Sequence, residues 1–227
     1  MSAALLRAVA EAVLPQRCPG CGVPADPSRL LCGRCAARIP RLRAPLCARC
    51  LVREREPSGC RRHRAHSVWV PWLFDERAAA VVHALKYDDR PGLAVPLGAE
   101  LAGALPEAWR RPDLVLEVPL HPARQRERGY NQSAELADAL AEALASPRLP
   151  GALRRVRATP PQARLGPAAR RANLAGAFAI ERPARLRGRR VLLVDDVVTT
   201  GATLDAALAA LHDAGAVAAG VALAWAQ

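Results

Sequence analysis

The sequence predicts an α/β fold: an open, mostly parallel sheet flanked by helices, with a small N-terminal module rich in cysteine. Three observations predict it. From residue 67 onward, short apolar and β-branched runs alternate with segments of helical period. One run, Val191–Val194, leads into two adjacent acids and then a Thr-Thr-Gly-Ala-Thr turn. All seven cysteines lie between Cys18 and Cys60, and residues 61–227 contain none. A chain of 227 residues has room for one α/β domain of about 150–180 residues plus a small appendage. We place that boundary between residues 1–66 and 67–227. Apolar content of 51% with 4% aromatics is a core built from Ala, Leu and Val.

The N-terminal Met1–Leu14 reads as a short amphipathic helix with Leu5, Leu6, Val9 and Val13 on one stripe. It carries an acid and no small-residue cleavage site, so it is expected to pack on the body rather than direct export. No segment approaches the ~18 consecutive apolar residues of a membrane span, and the expected location is the cytoplasm.

The cysteines come next, as Cys18-Pro-Gly-Cys21, Cys32-Gly-Arg-Cys35, Cys47-Ala-Arg-Cys50 and Cys60-Arg-Arg-His63. Three CxxC knuckles and one CxxH are separated by ten, eleven and nine residues. Each knuckle presents two soft ligands to a tetrahedral zinc, and the connecting loops are long enough to bring two knuckles together. Eight ligands serve two structural zinc ions, one on Cys18, Cys21, Cys32 and Cys35, the other on Cys47, Cys50, Cys60 and His63. The spacing leaves interleaved pairing open, and His66 is an alternative to His63. Disulfides are disfavoured under reducing conditions, and a redox CxxC needs no fourfold repetition.

Ser67–Phe74 reads as a strand joining the module to the body, Glu76–Lys86 as a helix, and Val95–Leu105 as a second. Asp113–Pro119 is a strand followed by a basic loop, Leu120–Tyr130. Asn131 caps a helix that runs to about Ala145. Leu153–Thr159 and Gly176–Ile180 are short strands flanking Pro160–Arg171, which has the composition of a mobile loop. Gly188 turns the chain into Val191–Val194, and Val217–Trp225 closes the sheet.

The chemistry concentrates at Val191–Thr203, VLLVDDVVTTGAT. Asp195 and Asp196 stand at a strand's carboxyl end, where open α/β sheets bind ligands. The hydroxyl-rich turn leads into a helix start at Thr203–Leu211, and backbone N–H groups there suit a phosphate. Acceptors for sugar hydroxyls followed by donors for a phosphate make a ribose-phosphate cradle.

This segment resembles the phosphoribosyl pyrophosphate (PRPP) motif of type I phosphoribosyltransferases. The resemblance implies that Asp195 and Asp196 hold the ribose hydroxyls and act as the catalytic acids. It implies that Val197, Val198, Thr199, Thr200, Gly201, Ala202 and Thr203 surround the 5′-phosphate. Either Val118–Leu120 or the Lys86-Tyr87 turn would face the pyrophosphate. Magnesium would accompany PRPP and assist displacement at the anomeric carbon.

The order of motifs resembles the ComF family more closely still. These are double-zinc-ribbon, phosphoribosyltransferase-like proteins linked to natural competence. The order is zinc knuckles, Leu85-Lys86-Tyr87, Val118-Pro119-Leu120, Arg124, Arg128-Gly129-Tyr130-Asn131-Gln132, Gln162, Arg170, Asn173, and then the PRPP motif. His63 departs from a pattern that commonly has a fourth CxxC there. The resemblance implies that Arg124 and Arg128 help with phosphate or acceptor, and that Gln162, Arg170 and Asn173 belong to a hood closing over the site. It also implies single-stranded DNA and a competence helicase or other uptake proteins as partners. A net charge of +12 favours polyanionic partners on its own account. Trp69, Trp72, Tyr87 and Tyr130 are the candidate stacking residues for such a strand.

Three readings stay open: a phosphoribosyltransferase working in DNA uptake, a catalytically silent PRPP sensor that binds DNA, and a transferase of nucleotide metabolism with a small acceptor.

Overall fold

A computed structural model describes residues 17–25, 29, 31–42, 45–52, 60, 66–87, 93–120, 125–126, 129–157, 174 and 176–227. The expected N-terminal helix, His63, Arg124, Arg128, Gln162, Arg170 and Asn173 lie outside these residues.

The main sheet contains six strands. These are β1 (Leu46–Cys47), β2 (Ser67–Trp69), β3 (Trp72–Leu73), β4 (Leu114–Glu117), β7 (Arg190–Val198) and β8 (Val217–Trp225). The order is β1-β2-β8-β7-β4, with β3 also pairing β8. Every pairing is parallel except β1 with β2. Helices α2 (Glu76–Tyr87), α3 (Ala94–Ala104), α4 (Gln132–Ala143) and α5 (Ala202–Asp213) flank it, and a one-turn α1 (Gly33–Ala36) lies in the cysteine module. This is the α/β architecture with a mostly parallel sheet that the alternating pattern predicts.

The two central strands read as apolar runs because both their faces are covered. Leu192 and Val194 of β7 enter one core with Val81 and Leu85 of α2, Leu97 of α3 and Leu136 of α4. Val191 and Leu193 point the other way, into a second core with Leu204, Leu208 and Leu211 of α5. Helices α3 and α4 cross closely at Gly98, where a β-carbon would sit 2.6 Å from the Ala139 carbonyl carbon and oxygen.

Four details differ from the expectations. Ser67–Phe74 is two short strands, because Pro71 has no N–H to give a ladder. Leu153–Thr159 contributes only β5 (Leu153–Arg155), which pairs antiparallel with β6 (Phe178–Ile180) in a separate ribbon; a three-residue partner supports no longer strand. The strand that ends in the acid pair continues four residues beyond Val194, because β8 is long enough to partner it as far as Val198–Trp225. Strand β1 was not anticipated. It pairs Leu46 with Val68 and Cys47 with Ser67, so the cysteine module extends the body's own sheet. Among the described residues no helix is long and apolar enough to cross a membrane.

Candidate functional site

The acid pair lies within the carboxyl-terminal half of β7, and successive strand residues face opposite ways. Asp196 is buried and Asp195 partly so. Both are held from the first turn of α4. Asn131 caps that helix by accepting the Ser133 N–H on its side chain, and its amide nitrogen donates to the Val118 carbonyl at 3.1 Å. With the turn fixed, Ser133 Oγ donates to Asp195 Oδ1 at 3.1 Å, and Gln132 Nε2 donates to Asp196 Oδ2 at 3.4 Å. The backbone adds two further bonds: the Asp196 N–H donates to Asp195 Oδ1 and the Val197 N–H to Asp196 Oδ1.

Lys86, in the last turn of α2, completes the cluster. Its Nζ lies 2.5 Å from Asp196 Oδ2. Tyr130 ties the two helices together, its hydroxyl donating to the Leu85 carbonyl at 2.5 Å. The run Tyr130-Asn131-Gln132-Ser133 is thus a clamp on the acid pair. Ser133 is the member of this clamp that the sequence motifs do not single out. The signal was present: once Asn131 is a cap, the next two residues occupy the helix's first turn and face whatever the helix abuts.

The two acids differ in charge environment. Lys86 keeps Asp196 beside a cation. Among the described residues Asp195 has no such partner, and burial first, then the adjacent Asp196 charge, pushes its pKa from 3.8 up to about 8. The hydrogen bond from Ser133 opposes that rise without cancelling it.

Beyond the end of β7 at Val198 the chain turns through Thr199 and Thr200 to Gly201, the N-cap of α5. Gly201 has φ 71°, a left-handed conformation that suits glycine. The first bond within the helix runs from the Asp205 N–H to the Gly201 carbonyl. The N–H groups of Ala202, Thr203 and Leu204 precede it and face the turn, and Gly201 supplies no side-chain cap. Val118 also borders this end of the sheet, its N–H donating to the Val194 carbonyl at 2.8 Å. Both candidate pyrophosphate segments, 118–120 and the end of α2, therefore flank the acids.

The sulfurs gather in two groups. The Sγ atoms of Cys18, Cys21, Cys32 and Cys35 all lie within 4.8 Å of one another, as do those of Cys47, Cys50 and Cys60. Consecutive knuckles pair; they do not interleave. The Cys21–Cys32 and Cys50–Cys60 separations are 3.6 and 3.9 Å. A tetrahedral zinc with Zn–S bonds of about 2.3 Å needs sulfurs about 3.8 Å apart, so the donor set fits. None of the seven cysteines forms a disulfide. His66, the alternative ligand, stands outside the second group. Its ring stacks on His212 at 4.4 Å, and burial, reinforced by the His212 charge, lowers its pKa to about 4.

The candidate stacking residues fare poorly. Trp69 and Trp72 are buried in the core beside the sheet, and the Tyr130 hydroxyl is engaged with Leu85. The side chain of Tyr87 lies outside what the structure describes.

Comparison with known proteins agrees with this layout. Residues 93–227 match the phosphoribosyl transferase domain, and residues 9–63 match the double zinc ribbon domain. DNA utilization protein YhgH of Escherichia coli O157:H7 is 34% identical over 192 residues, covering 82% of this chain and 74% of that protein. Competence protein F of Haemophilus influenzae is 32% identical over 180 residues, covering 77% and 75%. A Bacillus subtilis glutamine PRPP amidotransferase structure overlaps 62% of this chain and 30% of its own, at 23% identity and a TM-score of 0.40. The chain belongs to the phosphoribosyl transferase domain family and carries a double zinc ribbon, which accounts for both cysteine groups as structural zinc sites. That is the layout of the ComF family, which the motif order also resembles.

Proposed function

We propose that the protein binds Mg²⁺-PRPP at the carboxyl end of β7 and acts in the handling of imported DNA. One observation carries the first half. The acid pair is gripped by Lys86, Gln132 and Ser133 a few residues before a glycine-capped helix N-terminus, so sugar-hydroxyl acceptors at the end of β7 are followed closely by phosphate donors at the start of α5. The second half rests on the relatives named for DNA utilization and competence, and on the net charge of +12.

In this reading Asp195 and Asp196 accept hydrogen bonds from the two ribose hydroxyls. The N–H groups of residues 202–204, with the hydroxyls of Thr199, Thr200 and Thr203, hold the 5′-phosphate; an anion at a helix N-terminus gains about 0.3–1 kcal/mol from the dipole alone. Lys86 pairs with Asp196 before the ligand arrives, and afterwards supplies positive charge toward the pyrophosphate. The buried Gln132 Oε1, without a hydrogen-bond partner among the described residues, is one more acceptor beside this cluster. The carboxylate donors suit a hard cation that keeps much of its coordination for phosphate oxygens. Magnesium, when bound, would stabilise the departing pyrophosphate by Lewis-acid assistance. Arg124, Arg128, Gln162, Arg170 and Asn173 are kept as candidates for the closing hood and the acceptor side.

The test is pyrophosphate release from Mg²⁺-PRPP by zinc-loaded protein, with and without single-stranded DNA, alongside an Asp195→Asn/Asp196→Asn double variant. Release abolished by the double variant is the expected result, and stimulation by DNA would identify the acceptor side. Binding without release would favour the sensor reading. Absence of PRPP binding would overturn the proposal.

A further inference from the structure

The Gly201 turn abuts the cysteine module. A β-carbon at Gly201 would lie 1.9 Å from the Ala48 carbonyl oxygen, 3.0 Å from its carbon and 3.1 Å from Leu51 Cδ2. Ala48 and Leu51 belong to the knuckle that carries Cys47 and Cys50. The contact is backbone against backbone, with no side chain between to absorb a displacement. Glycine is thus demanded twice at position 201, once by its positive φ and once by the lack of room.

The knuckle is itself tightly specified. The Cys47 N–H donates to the Val52 carbonyl and the Leu51 N–H to the Cys47 carbonyl, closing the turn. The Ala48 N–H donates to the His66 carbonyl, and Cys47 pairs with Ser67 across β1 and β2. Cys47 and Ala48 are fully buried. Leu51 is in the left-handed region at φ 57°, where a leucine persists only if its surroundings hold it. Two constraints do so: the Leu51 side chain against the Gly201 turn, and the sulfur group of Cys47, Cys50 and Cys60 that zinc draws together.

We infer that the Cys47–Val52 knuckle is the outer wall of the phosphate loop, and that Ala48 and Leu51 are positioning residues through which zinc occupancy sets the shape of residues 199–203. The zinc module would then tune affinity for the phosphorylated ligand as well as stabilise the fold. This second step rests on the PRPP reading; the mechanical coupling does not.

The experiment is hydrogen–deuterium exchange of the full-length, zinc-loaded protein, paired with Mg²⁺-PRPP titration. Leu51→Gly keeps the left-handed turn and removes the side-chain contact. Cys60→Ser weakens the second metal site, and Cys60→His restores a ligand there. Faster exchange at residues 199–203 is expected in Leu51→Gly and Cys60→Ser, with a loss of about tenfold in PRPP affinity, the scale typical of removing an outer support from a binding site. Cys60→His should return both readouts toward wild type. Unchanged exchange at 199–203 overturns the inference. So does a rise shared equally by β7 and β8, which would assign the knuckle to general folding. If wild-type protein binds no PRPP while loop exchange still follows the knuckle, the PRPP reading falls and the coupling stands.

Discussion

Asp195 and Asp196 are neighbours with opposite electrostatic circumstances. Asp196 has Lys86 at 2.5 Å; Asp195 has a serine hydroxyl and the repulsion of its neighbour. Because the folded-state pKa of Asp195 is raised from 3.8 to about 8, the folded protein keeps a proton that the unfolded chain has released across that window. Stability is therefore expected to fall as pH rises from about 4 to 8. Asp195→Asn removes the charge, so the ligand-free protein should melt higher than wild type at pH 8 and nearly alike at pH 4, while PRPP affinity drops. Thermal melts across that range check the sign; a variant that melts lower than wild type at pH 8 would show that the carboxylate is better compensated than its surroundings imply. The arrangement is costly to the free protein and useful only to a ligand, as expected of a binding site.

At the scale of elements, the site depends on the seat of α4. That helix carries Asn131, Gln132 and Ser133 into position, and α3 fixes it at the Gly98–Ala139 crossing. Gly98→Ala would place a methyl group 2.6 Å from backbone atoms that cannot rotate away. We expect a loss of about 1–3 kcal/mol, the usual range for overpacking a closed core. The shift of α4 should also weaken PRPP binding beyond what the stability loss explains. Denaturant melts and a PRPP titration on the folded variant measure the two effects separately. The β7–α5 connection was legible in the sequence because a buried strand, an acid pair and a hydroxyl-glycine turn are all local patterns. The extension of β7 to Val198 was not, since it depends on the length of β8. Nor does the expectation of one strand over Ser67–Phe74 capture its division into two, although Pro71 lies within it.

Across the whole molecule, the cysteine module and the body share one sheet through β1 and β2, and Ala48 and Leu51 of the module abut the Gly201 turn. A protein with net charge +12 should bind single-stranded DNA largely through phosphates. With Trp69 and Trp72 in the core, base stacking has little to work with among the aromatic residues first considered. Affinity should therefore fall steeply with salt and depend little on base sequence. Fluorescence anisotropy of labelled oligonucleotides between low and moderate salt measures it; salt-insensitive binding would point to stacking or base contacts outside the residues described.

The sequence by itself determined the α/β class, the CxxC and CxxH knuckles as metal ligands and the strand–acid–glycine segment, because each is written in residues close together along the chain. Hydrophobic period, CxxC spacing and a helix N-terminus are short-range properties. Only the tertiary structure decided what surrounds those residues. It placed Lys86, Gln132 and Ser133 on the acid pair and kept His66 out of the second sulfur group. It also pressed Ala48 against Gly201. These contacts join residues tens to more than a hundred positions apart. They arise from how the helices and the cysteine module close over the sheet, which no local pattern encodes.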